Sequence, residues 1–152
     1  MKKELSRRSF LKMGTTAAVG MAVSPSLLMG KSKKKNVAPA PLDRKLKILG
    51  VGIGGRGASV LRGLETEDII GLCDVDWKYA AHVFERYPNA KRYNDYRVMF
   101  KEMLDEADAV VVATADHTHA IIAAEAIAAG KHVYVEKPLT HTVYESRLLT
   151  KL

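Results

Sequence analysis

Between Lys45 and Leu64 a short apolar run enters a cluster of glycines and leaves it as a helical pattern. This is the strongest constraint in the 152-residue chain. The run is Lys45-Leu46-Lys47-Ile48-Leu49-Gly50-Val51. The glycine cluster is Gly52-Ile53-Gly54-Gly55-Arg56-Gly57, and the helical pattern runs from Ala58 to Leu64. A strand, a G-x-G-x-x-G turn and a helix in that order let a backbone approach a dinucleotide pyrophosphate. Gly52 permits the tight turn, Gly54 offers no Cβ to the phosphate, and Gly57 lets the helix pack closely on the strand. The helix N-terminus presents unpaired N–H groups and partial positive charge to an anion.

A second apolar strand, Ile69-Ile70-Gly71-Leu72-Cys73, ends in Asp74. Asp74 follows the glycine turn at the distance where a carboxylate accepts hydrogen bonds from the adenosine ribose hydroxyls, about 20 residues on. A carboxylate there repels a 2′-phosphate, so NAD is favoured; Arg56 or Lys78 leaves NADP open. Asp74 and Asp76 are also a turn-and-cap pair for a helix starting at Trp77. We divide the roles, with Asp74 as ribose ligand and Asp76 as cap.

From Lys45 onward strand and helix patterns alternate. Trp77–Tyr87 reads as a helix ended by Pro88-Asn89, with Ala80, Ala81, Val83 and Phe84 on one side. Lys91-Arg92-Tyr93 reads as a short strand. Asn94 or Asp95 caps a helix through Leu104, with Val98, Met99, Met103 and Leu104 facing inward. Ala109–Ala113 is a continuous apolar run, as in a strand buried on both faces of a parallel sheet. Ile121–Ala129 is helical, with Gly130 as its C-terminal stop. His132–Val135 is a strand, and Thr142-Val143-Tyr144-Glu145 is a capping box opening another helix. The alternation predicts an α/β fold, a Rossmann-type doubly wound parallel sheet. The helical pattern still runs at Leu152, so the sheet is expected to be incomplete at the C-terminus and the chain to be a fragment.

The formal charge of +7 does not point to nucleic acid. Residues 1–35 hold nine of the 24 Lys/Arg and one of the 17 Asp/Glu. The remaining basic and acidic side chains nearly cancel, leaving no basic and aromatic patch. Cys73 is the only cysteine and reads as a small core residue, so no intrachain disulfide forms. Ser6-Arg7-Arg8-Ser9-Phe10-Leu11-Lys12 followed by apolar Met13–Val23 reads as a twin-arginine signal within residues 1–30. Residues 31–44 are a polar, proline-containing linker, and 45–152 are the NAD(P)-binding domain. Periplasmic location through the twin-arginine translocation machinery follows. Poor cleavage sites leave a second option, an uncleaved leader anchored in the inner membrane.

Two constellations carry chemistry. Ala113-Thr114-Ala115-Asp116-His117-Thr118-His119 stands at the carboxyl end of the buried strand, where open α/β sheets bind ligands. Glu136-Lys137-Pro138 ends the following strand. Pro138 turns the chain, holding Lys137 over the crevice. A lysine shielded from water near an oxidised nicotinamide has its ammonium disfavoured and exchanges protons with a substrate hydroxyl. His117 and His119 do not face the same way on a helix start, and no carboxylate cluster completes a metal site. His82, His132 and His141 read as surface or structural.

Together, Gly52–Gly57, Asp74, Thr114–His119 and Gly130-Lys131-His132-Val133-Tyr134-Val135-Glu136-Lys137-Pro138 resemble the glucose–fructose oxidoreductase / inositol dehydrogenase (Gfo/Idh/MocA) family. The resemblance covers residues 45–152. It implies an NAD(P)-dependent oxidoreductase acting on a sugar, cyclitol or related polyol by hydride transfer. Lys137 is then catalytic, in the proton relay. Gly52, Ile53, Gly54, Arg56, Gly57, Asp74, Thr114, Asp116, His119, Glu136 and Lys137 bind the cofactor, with Glu136 on the nicotinamide side and His119 orienting the loop. Ala115 stands where the family usually has proline. The family's second α/β domain, which carries oligomer contacts and most of the substrate pocket, is expected to lie outside these 152 residues, and a homo-oligomer is expected of the parent. Two alternatives stay open. One is an NAD-dependent glycosidase working by transient oxidation and elimination. The other is a catalytically inactive nucleotide-binding fragment.

Overall fold

The computed structural model describes residues 43–152. The leader and nearly all of the linker lie outside the described residues. Five strands form one parallel sheet: β1 Lys47–Val51, β2 Asp68–Cys73, β3 Lys91–Tyr93, β4 Ala109–Val112 and β5 His132–Val135. Their spatial order is β3-β2-β1-β4-β5, and every neighbouring pair is parallel. The chain runs outward from β1 to β3, then crosses back to place β4 on the other side of β1. That reversal opens a crevice at the carboxyl ends of β1 and β4, the switch point where α/β sheets bind ligands.

The register aligns the strand exits. Val51 pairs with Cys73 and Val112, Cys73 with Tyr93, and Val112 with Val135. The next residues, Asn94, Asp74, Gly52, Ala113 and Glu136, therefore emerge along one edge of the sheet. Successive strands lie about 4.8 Å apart, so the exits of β1 and β5 are separated by about 10 Å.

Alternation along β1 builds two cores. Leu49 and Val51 pack with Met99, Phe100, Val110, Val112 and Ile122 on one face. Ile48 packs with Ile53, Leu61, Leu72, Val83 and Phe84 on the other. The helices α1 (Arg56–Arg62) and α2 (Ala81–Arg86) supply the second face, and α3 (Tyr96–Met103) and α4 (Asp116–Ala128) the first. This is the doubly wound arrangement that the alternation predicts.

Several boundaries differ from the sequence reading. α2 begins at Ala81 and not at Trp77, because Asp76 closes a separate turn before it. The Asp76 carboxylate accepts from the Tyr79 N–H at 2.9 Å, and its carbonyl from the Ala80 N–H at 2.9 Å. Asp95 is the cap of α3, accepting from the Arg97 N–H at 2.9 Å. The inward set of α3 is Met99, Phe100 and Met103. Val98 is 47% exposed and does not belong to that face; Leu104 starts a short 3₁₀ turn beyond the α-helix but still packs, partly buried, against the same core, as expected. α4 starts five residues before Ile121, which puts Asp116, His117, Thr118 and His119 in its first turn. Gly130 ends the segment at φ +74°, with its N–H on the Ile127 carbonyl. The Thr142–Glu145 capping box opens α5 (Val143–Lys151) as expected.

Candidate nucleotide-binding site

The glycine turn is shaped by its neighbours in the sheet. Gly52 has φ +76°, and a Cβ there would lie 2.6 Å from the Thr114 nitrogen and 2.7 Å from the Ala113 carbonyl. The exit of β4 therefore presses on the exit of β1 at the one position without a side chain. A Cβ on Gly57 would lie 2.3 Å from the Gly52 oxygen. That contact is the close approach of α1 to the turn. Ile53 is fully buried in the core beneath α1. It therefore serves the site through its backbone, and its side chain makes no ligand surface.

Asp74 holds the same turn from the β2 side. One carboxylate oxygen accepts from the Gly54 N–H at 2.8 Å, and the other from the Asp76 N–H at 3.0 Å. Both bonds anchor the carboxylate beside the turn, where a ribose diol would reach it. Tyr79 lies across the glycines, its ring 2.6 Å from where a Gly54 Cβ would be. A cavity of about 1040 Å³ opens above these residues, lined among others by Gly52, Asp74, Val75, Tyr79, Thr114 and Thr118. That volume suits a dinucleotide-sized ligand. With the positive-φ glycine and the anchored carboxylate, the residues fit NAD.

Arg56 turns away from Asp74 toward β5. Its Nε donates to Glu136 Oε1 at 2.8 Å, and the Tyr134 hydroxyl donates to the same oxygen at 3.3 Å. The guanidinium holds the Glu136 carboxyl below the usual carboxylate range. In this placement Arg56 is paired at the β5 exit and not on the β2 side, where Asp74 lies. It also brings the residue next to Lys137 into contact with the glycine turn, 80 positions earlier in the chain.

His119 is 1% exposed. Its Nδ1 lies 2.7 Å from the Pro138 carbonyl oxygen and its Nε2 3.0 Å from that of Thr114. The ring thus ties the exits of β4 and β5 together, and it does not line the cavity. Thr118 donates its hydroxyl proton to Thr114 at 2.7 Å. Asp116 is exposed at the start of α4 and stands outside the cavity lining, where Ala115, His117 and Thr118 appear instead. Lys137 is exposed and makes no ion pair among the described residues. The shielding from water that the sequence reading expects is not supplied by them. Among the described residues no three His, Cys, Asp or Glu side chains converge as metal ligands would.

Sequence reasoning passed over Val75, Tyr79, Asn94, Tyr96 and Val98, which also line the cavity. The exposed Val75, Trp77 and Tyr79 after β2 were a usable signal, since apolar side chains beside a ligand crevice seldom serve the core.

The oxidoreductase family with an NAD-binding Rossmann fold, Gfo/Idh/MocA, matches residues 45–152. The chain belongs to that family. The described domain is the NAD-binding Rossmann domain of Gfo/Idh/MocA proteins. The α-N-acetylgalactosaminidase of Shewanella oneidensis is 28% identical over 163 aligned residues, covering 93% of this chain and 35% of that protein. GenD2 from gentamicin A biosynthesis, solved with NAD, is 31% identical, with a TM-score of 0.61 over 74% of this chain and 32% of the other. The myo-inositol dehydrogenase of Lactobacillus casei, solved with NAD(H) and myo-inositol, shares the fold at 22% identity. Its TM-score is 0.63 over 70% of this chain and 32% of the other. This Gfo/Idh/MocA chain spans about a third of the length of the curated relatives it matches.

Proposed function

We propose that this chain is the cofactor-binding part of an NAD-dependent oxidoreductase acting on a sugar, cyclitol or related polyol. The observation that carries the reading is the Arg56–Glu136 contact. It draws the β5 exit, and Lys137 with it, toward the turn that cradles the dinucleotide. Bound NAD supplies a hydride acceptor. The chain's own residues do the rest: Asp74 holds the adenosine ribose, Gly52–Gly57 admit the pyrophosphate, and Thr114 lines the crevice. Lys137 exchanges a proton with the substrate hydroxyl. Its exposure here means that further segments must close over it before the proton exchange is sheltered. The substrate class is supported by the names of relatives and structural neighbours, among them an α-N-acetylgalactosaminidase and a myo-inositol dehydrogenase. We also propose export by the twin-arginine machinery, on Arg7-Arg8 and the apolar Met13–Val23. The match to the Shewanella protein reaches into these first 42 residues. A homo-oligomer built through the remaining family domain completes the reading.

The test is titration of NADH into the intact protein, followed by a screen of sugars and polyols for NADH formation. Saturable binding with turnover that Lys137→Ala abolishes is the expected result. Turnover unchanged in Lys137→Ala would refute the assignment of the proton relay. A second reading, glycoside cleavage through transient oxidation and elimination, is favoured by the Shewanella relative. It predicts aryl-glycoside cleavage without added nicotinamide and without net NADH formation.

A further inference from the structure

Arg56 and Glu136 stand on opposite flanks of β4, at the exits of β1 and β5. Glu136 is 9% exposed, while the Arg56 side chain is 65% exposed. The carboxylate is covered and the guanidinium lies at the solvent edge. Covering a carboxylate without a partner is costly, so the pair keeps Glu136 ionised in place. The Tyr134 hydroxyl adds a second donor at 3.3 Å.

The sheet order fixes which half of a dinucleotide meets this pair. Asp74 after β2 takes the adenosine ribose and the turn after β1 takes the pyrophosphate. A dinucleotide held that way would extend its remaining half in the other direction, toward the exits of β4 and β5. Its nicotinamide ring carries a unit positive charge when oxidised and none when reduced. A fixed net charge at the β5 exit therefore discriminates between the two redox forms.

We propose that the Arg56–Glu136 pair is a charge-compensating clasp that sets the relative affinity of the site for NAD⁺ and NADH. The proposal rests on the nucleotide-binding reading above and deepens it. Arg56 holds Glu136 in place and offsets its charge with its own. With the pair intact its two charges cancel, and the pair itself favours neither form; Lys137 beside it contributes equally in every variant of the set. Without Arg56 the carboxylate stands uncompensated and favours the cationic NAD⁺. Without Glu136 the guanidinium stands alone and favours NADH. A contact that merely bolted α1 to β5 would weaken both forms alike.

Dissociation constants for NAD⁺ and NADH should be measured on the intact protein by calorimetry, with melting curves to confirm folding. The set is wild type, Arg56→Gln, Glu136→Gln, the double variant and Arg56→Lys. Were the ring to sit about 8 Å from the pair, a unit charge at an effective dielectric of about 40 would correspond to roughly a fivefold effect. The ratio Kd(NADH)/Kd(NAD⁺) should thus rise about fivefold in Arg56→Gln and fall about fivefold in Glu136→Gln. The double variant and Arg56→Lys should return to within about twofold of wild type. An unchanged ratio in Arg56→Gln, with both forms still bound, overturns the clasp and leaves the nucleotide reading standing. Wild type that binds neither form overturns both. If Glu136→Gln fails to fold, Arg56→Gln against Arg56→Lys decides alone, since Arg56 is largely exposed.

Discussion

Replacing Gly52 with alanine separates two costs that usually arrive together. Gly52 and Gly130 have nearly the same backbone conformation, φ +76° and φ +74°. Their surroundings are opposite. A Cβ on Gly130 meets nothing within 4 Å, while one on Gly52 falls 2.6–2.7 Å from backbone atoms of Ala113 and Thr114. The left-handed conformation costs an L-residue about 1–2 kcal/mol. Loss of glycine freedom in the unfolded chain returns about 0.4–1 kcal/mol. Gly130→Ala should therefore lower stability by about 1 kcal/mol. Gly52→Ala bears the same strain plus overpacking against backbone, which adds about 1–3 kcal/mol. Its total is about 2–4 kcal/mol. For a domain of this size that is a fall in Tm of roughly 8–16 °C, against roughly 4 °C for Gly130→Ala. Relief of the overlap must push the β4 exit away from the turn, so NADH affinity should drop about tenfold in Gly52→Ala and stay unchanged in Gly130→Ala. Thermal unfolding by circular dichroism and NADH titration read both effects. Equal losses in the two variants would refute the claim that the β4 exit presses on Gly52.

Three further outcomes follow from the described contacts. His119→Leu removes the buried ring whose nitrogens face the Thr114 and Pro138 carbonyls, and with it the N–H that one of them accepts. Chemical denaturation should show a loss of about 1–3 kcal/mol, and amide exchange should quicken at both strand exits. Asp108 accepts from the Arg44 guanidinium at 2.7 Å and from the Lys47 N–H at 2.8 Å. The hydrogen bond from Arg44, then that from Lys47, holds its carboxyl far below the usual carboxylate range in the folded state. Its stabilisation is therefore complete above the unfolded value, near pH 4, and is lost as pH falls through the lower folded value. The Tm of Asp108→Asn should vary less than wild type between about pH 4 and pH 2; matching profiles would contradict the linkage. Burial, then the nearby charges of Asp74 and Asp95, pushes the Cys73 thiol up to about 12. Iodoacetamide at mild alkaline pH should label it about a thousandfold more slowly in the native protein than after unfolding, and comparable rates would refute its burial.

The parts of this protein legible along the chain were those set by local periodicity. Ala109–Val112 announced a strand buried on both faces, and Thr142 with Glu145 announced a helix start, because each pattern is complete within a few residues. Gly52–Gly57 and Asp74 were legible for the same reason, as a turn between two adjacent βα units. The α2 and α4 boundaries were not. A turn closed by Asp76 and a helix already begun at Asp116 both satisfy the same local preferences as the readings they replaced.

What no local pattern carried was the pairing across the sheet. The 80 positions between Arg56 and Glu136 close because the chain crosses back after β3 and lays β4 and then β5 on the other side of β1. The chain order of the strands differs from their spatial order there. The same crossing places the Thr114 backbone against Gly52 and lets His119 reach both strand exits. Asp116 and Lys137 are both exposed, which their residue types and spacing did not reveal. Residue type and spacing select the elements. Strand order and register, set by burying two apolar faces at once, select which side chains meet.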